Sequence, residues 1–375
     1  MRLIPRPELP FRADDPSYMD DWSIADRVET VAQVAAWYDN GRDFYARRIL
    51  SQVIDEQHAH FEEGDTFNID GVDGNTYQYN VNPTARPTID YKSWYELLSD
   101  ANNAIRPTEW RPFHAYCSVR LANYIEEEDE SFEEDPHWLG EMSDASDELY
   151  SPTEATLAKQ FYRLADLRAR LREKRAWPGW NSIIAVLSSL RMPRQIDKVF
   201  GIGCGSLEAY EDDTELYNRC TMRHVFVYCL AKSLNRTRVG HPGVARYFQD
   251  PTYTDLDEEA IRRLHAHILV DPVAYLEMDE ASVVFSSDAT CCVKSIIVEN
   301  ARPAILILDR PRNDGSASEL TDPFTSRVEW ILDTEYQSLR IPQFHDDYWV
   351  PMAMYIRNEF IPPAFVSPYE QAQVV

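Results

Sequence analysis

Lys198-Val199-Phe200-Gly201-Ile202-Gly203-Cys204-Gly205-Ser206 is the stretch that decides the fold. A short apolar run passes straight into three glycines at alternate positions. In an open parallel sheet, a first strand ends in this manner over a ligand crevice. Glycine has no Cβ, so the backbone can turn sharply there and bring its N–H groups close to a ligand.

Downstream, apolar runs and helical spacings alternate as far as Asp309. Strands are predicted at Val244–Gln249, His267–Val270, Ser282–Phe285 and Ala304–Leu308. Helices are predicted at Cys220–Leu234, Leu256–His265 and Thr290–Glu299. The helix from Leu256 has acidic residues at its start and Arg262 and Arg263 near its end, which matches the helix dipole. Strands that alternate with helices imply parallel pairing and right-handed crossovers. The fold class is therefore α/β: a Rossmann-like, mostly parallel sheet with flanking helices over residues 151–312, its glycine strand central. Residues 313–375 form an extension whose pieces, Val328–Leu332 and Trp349–Ile356, are separated by prolines and are not placed.

Upstream, Trp180–Leu190 reads as a helix leading to the glycine strand. Ser151-Pro152-Thr153-Glu154 combines a capping serine, a first-turn proline and a capping-box glutamate. The helix it opens carries Leu157, Phe161, Leu164, Leu167 and Leu171 at three- and four-residue spacing. Residues 1–150 form a mostly helical or irregular region. A Pro- and Asp-rich tail precedes a helix from Ser23 with Ile24, Val28, Val31, Ala35 and Tyr38 inward. Asn40-Gly41 ends it, and a second helix over Arg42–His60 completes a helical hairpin. A strand is expected at Thr76–Val81 and a helix over Tyr91–Ile105. Glu126–Asp147 is acidic, poor in apolar surface and expected to be an exposed linker that proteases cut first.

Composition narrows the function. Hydrophobic content of 44% describes a globular core. The balance of 63 acidic against 37 basic residues gives a net charge of -26, which repels phosphate backbones and argues against nucleic acid as a partner. No run has the length and apolarity to span a bilayer, so no membrane is expected, and the start lacks the apolar core of a signal peptide. The six cysteines lack zinc-like spacing, so reduced thiols in the cytosol or nucleus are expected and no metal site.

The candidate ligand-binding residues are Gly201, Gly203, Gly205 and Ser206 on the glycine turn, Asp250 beyond the second strand, and Ser286, Ser287 and Asp288 beyond the fourth. The strands next to the first lead away in opposite directions, so their turns separate and leave a gap. The expected crevice has Asp250 at its floor and suits a small nucleotide-like ligand. Three readings stand for the turn. As a dinucleotide fingerprint it lacks the later glycine and the acidic residue about twenty positions on. As an S-adenosylmethionine site it lacks the acidic residue two positions before the glycines. As a tight structural turn it binds nothing. Asp250, Asp271, Asp288 and Asp309 each stand at a strand end, where aspartate also starts turns and caps helices. No catalytic residue and no cofactor can be named; spacing alone does not identify a triad. His58, His60, His265, His267 and the Cys291-Cys292 pair make poor metal sites.

Three places resemble the sensitivity-to-red-light-reduced (SRR) family in its fungal form. They are the helix Trp180–Leu190 before the turn Val199–Ser206, Asp250-Pro251-Thr252-Tyr253 before Leu256–Leu264, and Val283-Val284-Phe285 before Ser286–Cys291. The chain departs from the family at Cys204-Gly205 and at Ser286–Cys291, where the Pro-His-Cys-like turn is absent. The resemblance covers roughly residues 175–312. It implies a Rossmann-like domain and a regulatory protein tied to light signalling and the clock in plants, haem metabolism in animals, or cytoskeletal and stress responses in yeast. It carries no agreed catalytic residues. A regulatory or interaction protein with a protein partner is the first expectation, and a nucleotide- or S-adenosylmethionine-using enzyme the alternative. Oligomeric state is not legible.

Overall fold

The computed structural model describes residues 11–12, 24–57, 66–80, 88–94, 96–97, 116–121, 165–167, 169–170, 180–191, 196–208, 214–236, 243–311, 321–341 and 350–362. The acidic stretch Glu126–Asp147 and the helix start at Ser151 lie outside them.

The glycine strand forms as read, over Lys198–Ile202. It belongs to a seven-stranded sheet. In chain order the strands of this sheet are β6 (Lys198–Ile202), β7 (Ala245–Gln249), β8 (His267–Ile268), β9 (Ser282–Ser286), β10 (Ile305–Asp309), β11 (Tyr336–Arg340) and β12 (Met352–Arg357). The order across the sheet is β11-β12-β10-β9-β6-β7-β8. Five strands run parallel, with β6 at their centre between β9 and β7. Val199 faces Val283 on one side and Arg246 on the other. The extension beyond residue 312 adds β12, antiparallel to β10, and β11, antiparallel to β12.

Both faces are covered, as a parallel sheet requires. That is why β9 and β10, Ser-Val-Val-Phe-Ser and Ile-Leu-Ile-Leu-Asp, are buried at every position. Alternate residues serve two cores. Val199, Phe248, Val283, Phe285, Ile305 and Ile307 pack with the helices Trp180–Ser189, Thr214–Arg236 and Asp255–Arg263. Phe200, Ile202, Val284, Leu306 and Leu308 pack with the helices Val273–Glu277, Val293–Asn300 and Ser326–Glu335, and with the N-terminal region.

That region keeps its two helices, Ile24–Asp39 and Arg47–Gln57, and the strand expected near Thr76 runs over Thr76–Asn80. It also holds small sheets: β1 (Phe11–Arg12), β3 (Thr76–Asn80) and β2 (Thr66–Asp70) form one, β4 (Ile89–Tyr91) and β5 (Val119–Leu121) another. Tyr91 therefore ends a strand, where a helix start was expected. The region is held to the sheet domain by Glu299. Its side chain, 2% exposed, accepts the N–H groups of Phe44 and Tyr45, each at 2.7 Å, and pairs with Arg327. Arg327 stacks on Tyr38, 4.1 Å from the ring centroid.

Candidate functional site

The glycine turn sits at the carboxyl edge of the sheet. Gly203 and Gly205 have φ of 65° and 79°, the left-handed region where glycine is favoured. Gly201 is needed for a different reason: a Cβ there would lie 2.9 Å from the Phe248 ring. Nothing lies within 4 Å of a Cβ built on Gly203, so the space above it is open.

Three N–H groups of the turn and of the residues after it, those of Gly205, Leu207 and Glu208, already have carboxylate acceptors. Gly205 N–H donates to Asp250 Oδ2 at 2.6 Å. The other oxygen of Asp250 accepts from Thr252 N–H and Oγ. Asp250 thus joins the turn after β6 to the turn after β7. Asp257 does more. It is the third residue of the helix Asp255–Arg263 and forms a capping box with Thr254. Fully buried, it also accepts Ser206 Oγ at 2.6 Å, Leu207 N–H at 2.9 Å and Glu208 N–H at 3.1 Å. Asp250 and Asp257, carboxylates of the chain itself, thus engage donors of this turn.

On the other flank, Asp288 lies at φ 54° and its N–H donates to Asp309 Oδ2 at 2.6 Å. Its carboxylate meets Arg223 Nη2 at 3.2 Å, and the same guanidinium stands 3.5 Å from the Gly203 carbonyl. Arg223 therefore bridges the gap between the first and fourth strand ends. Ser286 and Ser287 are buried, and Ser286 Oγ has no hydrogen-bond partner among the described residues. Asp271 stands further along the edge, where it accepts Tyr91 OH at 2.8 Å and Gln249 Nε2 at 2.7 Å. A cavity of about 60 Å³ lies between Asp250 and Asp271, beside Tyr253 and Glu258.

His224 was not singled out from the sequence, although it falls one helical turn after Cys220. It is buried, stacked on Phe248, and its Nδ1 lies 2.7 Å from the Cys220 carbonyl. A carbonyl only accepts, so Nδ1 carries the proton and Nε2 accepts from Tyr253 OH at 2.8 Å. Burial holds its pKa below the ordinary imidazole value. The cysteines are all free thiols, and burial raises Cys204, Cys291 and Cys292 far above their ordinary range. They are poor nucleophiles on that account. His265 and His267 are exposed. His58 and His60 lie outside the described residues. No cluster that could hold a metal occurs among the described residues.

Burial pushes Asp271 and Glu299 up to about 7 and Asp309 up to about 6. Their folded values exceed the unfolded ones, so the stability they contribute is full below about pH 4. It is lost as pH rises through about 6 to 7. The net charge of -26 acts in the same direction, because self-repulsion grows as carboxyls ionise. His224 acts oppositely: its contribution is full above the ordinary imidazole value of about 6.5 and is lost as pH falls below it. The thermal midpoint is therefore expected to be higher at pH 6 than at pH 8. Asp271→Asn should make that dependence shallower; an unchanged slope would remove Asp271 from the account.

Residues 167–343 match the SRR1 domain family. This chain carries an SRR1 domain. The match contains the glycine turn, Asp250, Asp257 and the strands as far as β11, so it extends past the span recognised from motifs. The last strand of the sheet, β12, lies beyond the matched residues yet pairs between β10 and β11. No curated protein sequence matches the chain. Solved structures similar to it include the methyltransferase domain of bacterial CtHen1, at 14% identity over 50% of this chain and 98% of that one, TM-score 0.25. The N-methyltransferase NodS from Bradyrhizobium japonicum WM9 is similar at 12% identity over 54% and 97%, TM-score 0.25. Likeness at that level assigns no activity here. Among the described residues no helix is long and apolar enough to cross a membrane.

Proposed function

We propose that this SRR1-domain chain is a regulatory or interaction protein of the cytosol or nucleus, whose glycine turn ties loops together and does not cradle a phosphate. The observation that supports it is the use of the turn's donors: Gly205, Leu207 and Glu208 each give their N–H to Asp250 or Asp257. A phosphate-binding turn keeps those donors for its ligand. Here an entering phosphate would have to displace a carboxylate and then stand beside it as a like charge.

A second reading, an S-adenosylmethionine-using enzyme, has one observation in its favour. Open space above Gly203 lies at the same sheet edge as the unpartnered Ser286 Oγ. A sulfonium ligand carries no phosphate and does not need the engaged donors.

A thermal-shift titration separates the two. S-adenosylmethionine, S-adenosylhomocysteine, ATP, NAD and haem are each expected to leave the unfolding midpoint unchanged. A true ligand would stabilise by about 2.7 kcal/mol at a hundredfold excess over Kd. A shift that grows with ligand concentration and disappears in Asp250→Ala would overturn the proposal and establish the enzyme-like crevice. Gly203→Val is the poorer probe, because a β-branched residue at positive φ is strained whether or not a ligand binds.

A further inference from the structure

The helix Val293–Asn300 leaves the carboxyl edge of the sheet after β9 and ends just before β10 begins. Its last turn therefore lies at the opposite edge from the glycine turn. A groove of about 400 Å³ opens there, between the end of the helix Ile24–Asp39 and the helix Ser326–Glu335. Tyr38, Asp39, Asp43, Arg302, Arg327 and Trp330 are among its lining. Its volume falls in the range of sites that hold a ligand or a partner's side chains.

Trp330 is 62% exposed, against 42% for Val270, the other large exposed apolar residue among the described ones. An indole of that exposure at the mouth of a cavity leaves a large aromatic face open to a partner. The charges around it are asymmetric. Both lining cations are already engaged inside the fold. Arg327 pairs with Glu299 and donates to the Tyr38 carbonyl at 2.5 Å, while Arg302 pairs with Glu335 at 2.9 Å and donates to the Ala301 carbonyl. Arg42, next to the groove in sequence, is stacked on Trp37 at 4.6 Å. Asp39 and Asp43 are exposed, and among the described residues neither has an ion-pair partner. Glu329 and Asp333, on the helix that carries Trp330, are exposed as well.

We infer that this groove is a docking site for a basic segment of a protein partner, with an arginine or lysine side chain held over the Trp330 indole and neutralised by Asp39 and Asp43. A cation over tryptophan is the strongest of the cation–aromatic pairs, and arginine is the commoner donor. Two unpaired carboxylates supply the complementary charge and steer the approach. The occupant rests on the interaction reading above, but not on the state of the glycine turn.

The test is fluorescence anisotropy with a short fluorescein-labelled peptide of alternating glycine and arginine, at physiological ionic strength. A glutamate-for-arginine peptide serves as the comparison. Binding of the arginine peptide alone is expected. Trp330→Ala and the pair Asp39→Asn with Asp43→Asn should each weaken it about tenfold, while Trp330→Phe keeps most of it. Trp330 is mostly exposed, so these variants should retain the circular dichroism of the parent. Asp255→Asn with Glu277→Gln removes two exposed charges elsewhere and should change nothing. An equal loss in that control pair would mean general attraction to a chain of charge -26, and would overturn the site. Undiminished binding by Trp330→Ala, or no binding by the parent, would also overturn it. Either failure leaves the thermal-shift result on the glycine turn standing, so the two conclusions fall separately.

Discussion

Replacing Asp257 with alanine is expected to destabilise the protein by about 3–5 kcal/mol, a large fraction of the stability of an ordinary domain. The side chain is fully buried and receives Ser206 Oγ, Leu207 N–H, Glu208 N–H and Thr254 N–H. Alanine removes every one of those acceptors and supplies no room-filling substitute. Each buried donor left without a partner costs about 1–3 kcal/mol, offset in part by water entering the space. Asp257→Asn should recover less than half of the loss, since its amide N–H₂ faces donors where an oxygen stood. Asp250→Ala should cost much less, because Asp250 is only half-buried and water can replace it at Gly205. Urea unfolding of the three variants gives the comparison. If Asp257→Ala were no worse than Asp250→Ala, the turn would not depend on the helix Asp255–Arg263, and the structural account of its glycines would fail.

The second large effect is expected at the pair Lys294 and Asp322. Both side chains are 5% exposed, and Nζ lies 2.7 Å from Asp322 Oδ2. Lys294 Nζ also donates to the Asp322 carbonyl at 2.8 Å, and Lys294 N–H to Oδ1 at 2.9 Å. Asp322→Ala leaves a buried ammonium without its counter-charge and should cost about 3–5 kcal/mol. Lys294→Met should cost less. Burial already raises the pKa of Asp322, so without the lysine that carboxyl can take a proton and become neutral. Combining Lys294→Met with Asp322→Leu should restore most of the stability lost in Asp322→Ala alone. A double variant as unstable as the worse single one would show that the site requires the ion pair itself and not merely neutrality.

These two sites act on the edge that a ligand would approach. Asp257 sets the glycine turn on one flank. Lys294 reduces the burial penalty on Asp309, whose carboxylate receives the Asp288 N–H on the other. Between them Arg223 joins Gly203 to Asp288. The edge outlined from the sequence residues is therefore a place where the chain's own charges meet.

The parallel sheet was legible because β6, β9 and β10 are short, mostly apolar runs, and turn signals follow the predicted strands. Ile305–Leu308 ends at Asp309, and Phe248 and Gln249 are followed by Asp250-Pro251. Burial on both faces imposes that continuous apolar pattern on a parallel strand. The helix Asp255–Arg263 was legible from its acidic start and basic end, and the family resemblance from the order of the same motifs. The helix Val273–Glu277 escaped notice, since five residues are too few to show a helical period.

The sequence by itself determined the local elements and the place of the glycine turn, because propensity, periodicity and turn chemistry act within a few residues. Tertiary structure alone decided where β12 pairs, since a hydrogen-bonded neighbour carries no local mark: Met352–Arg357 enters between β10 and β11 although it follows both in the chain. It also decided what the turn does. Asp257 reads in sequence as one of several acids at a helix start, and only packing brings it within 2.9 Å of Leu207 N–H, fifty residues earlier. A carboxylate that satisfies donors so distant in the chain is set by the closure of the fold, which no spacing rule reports.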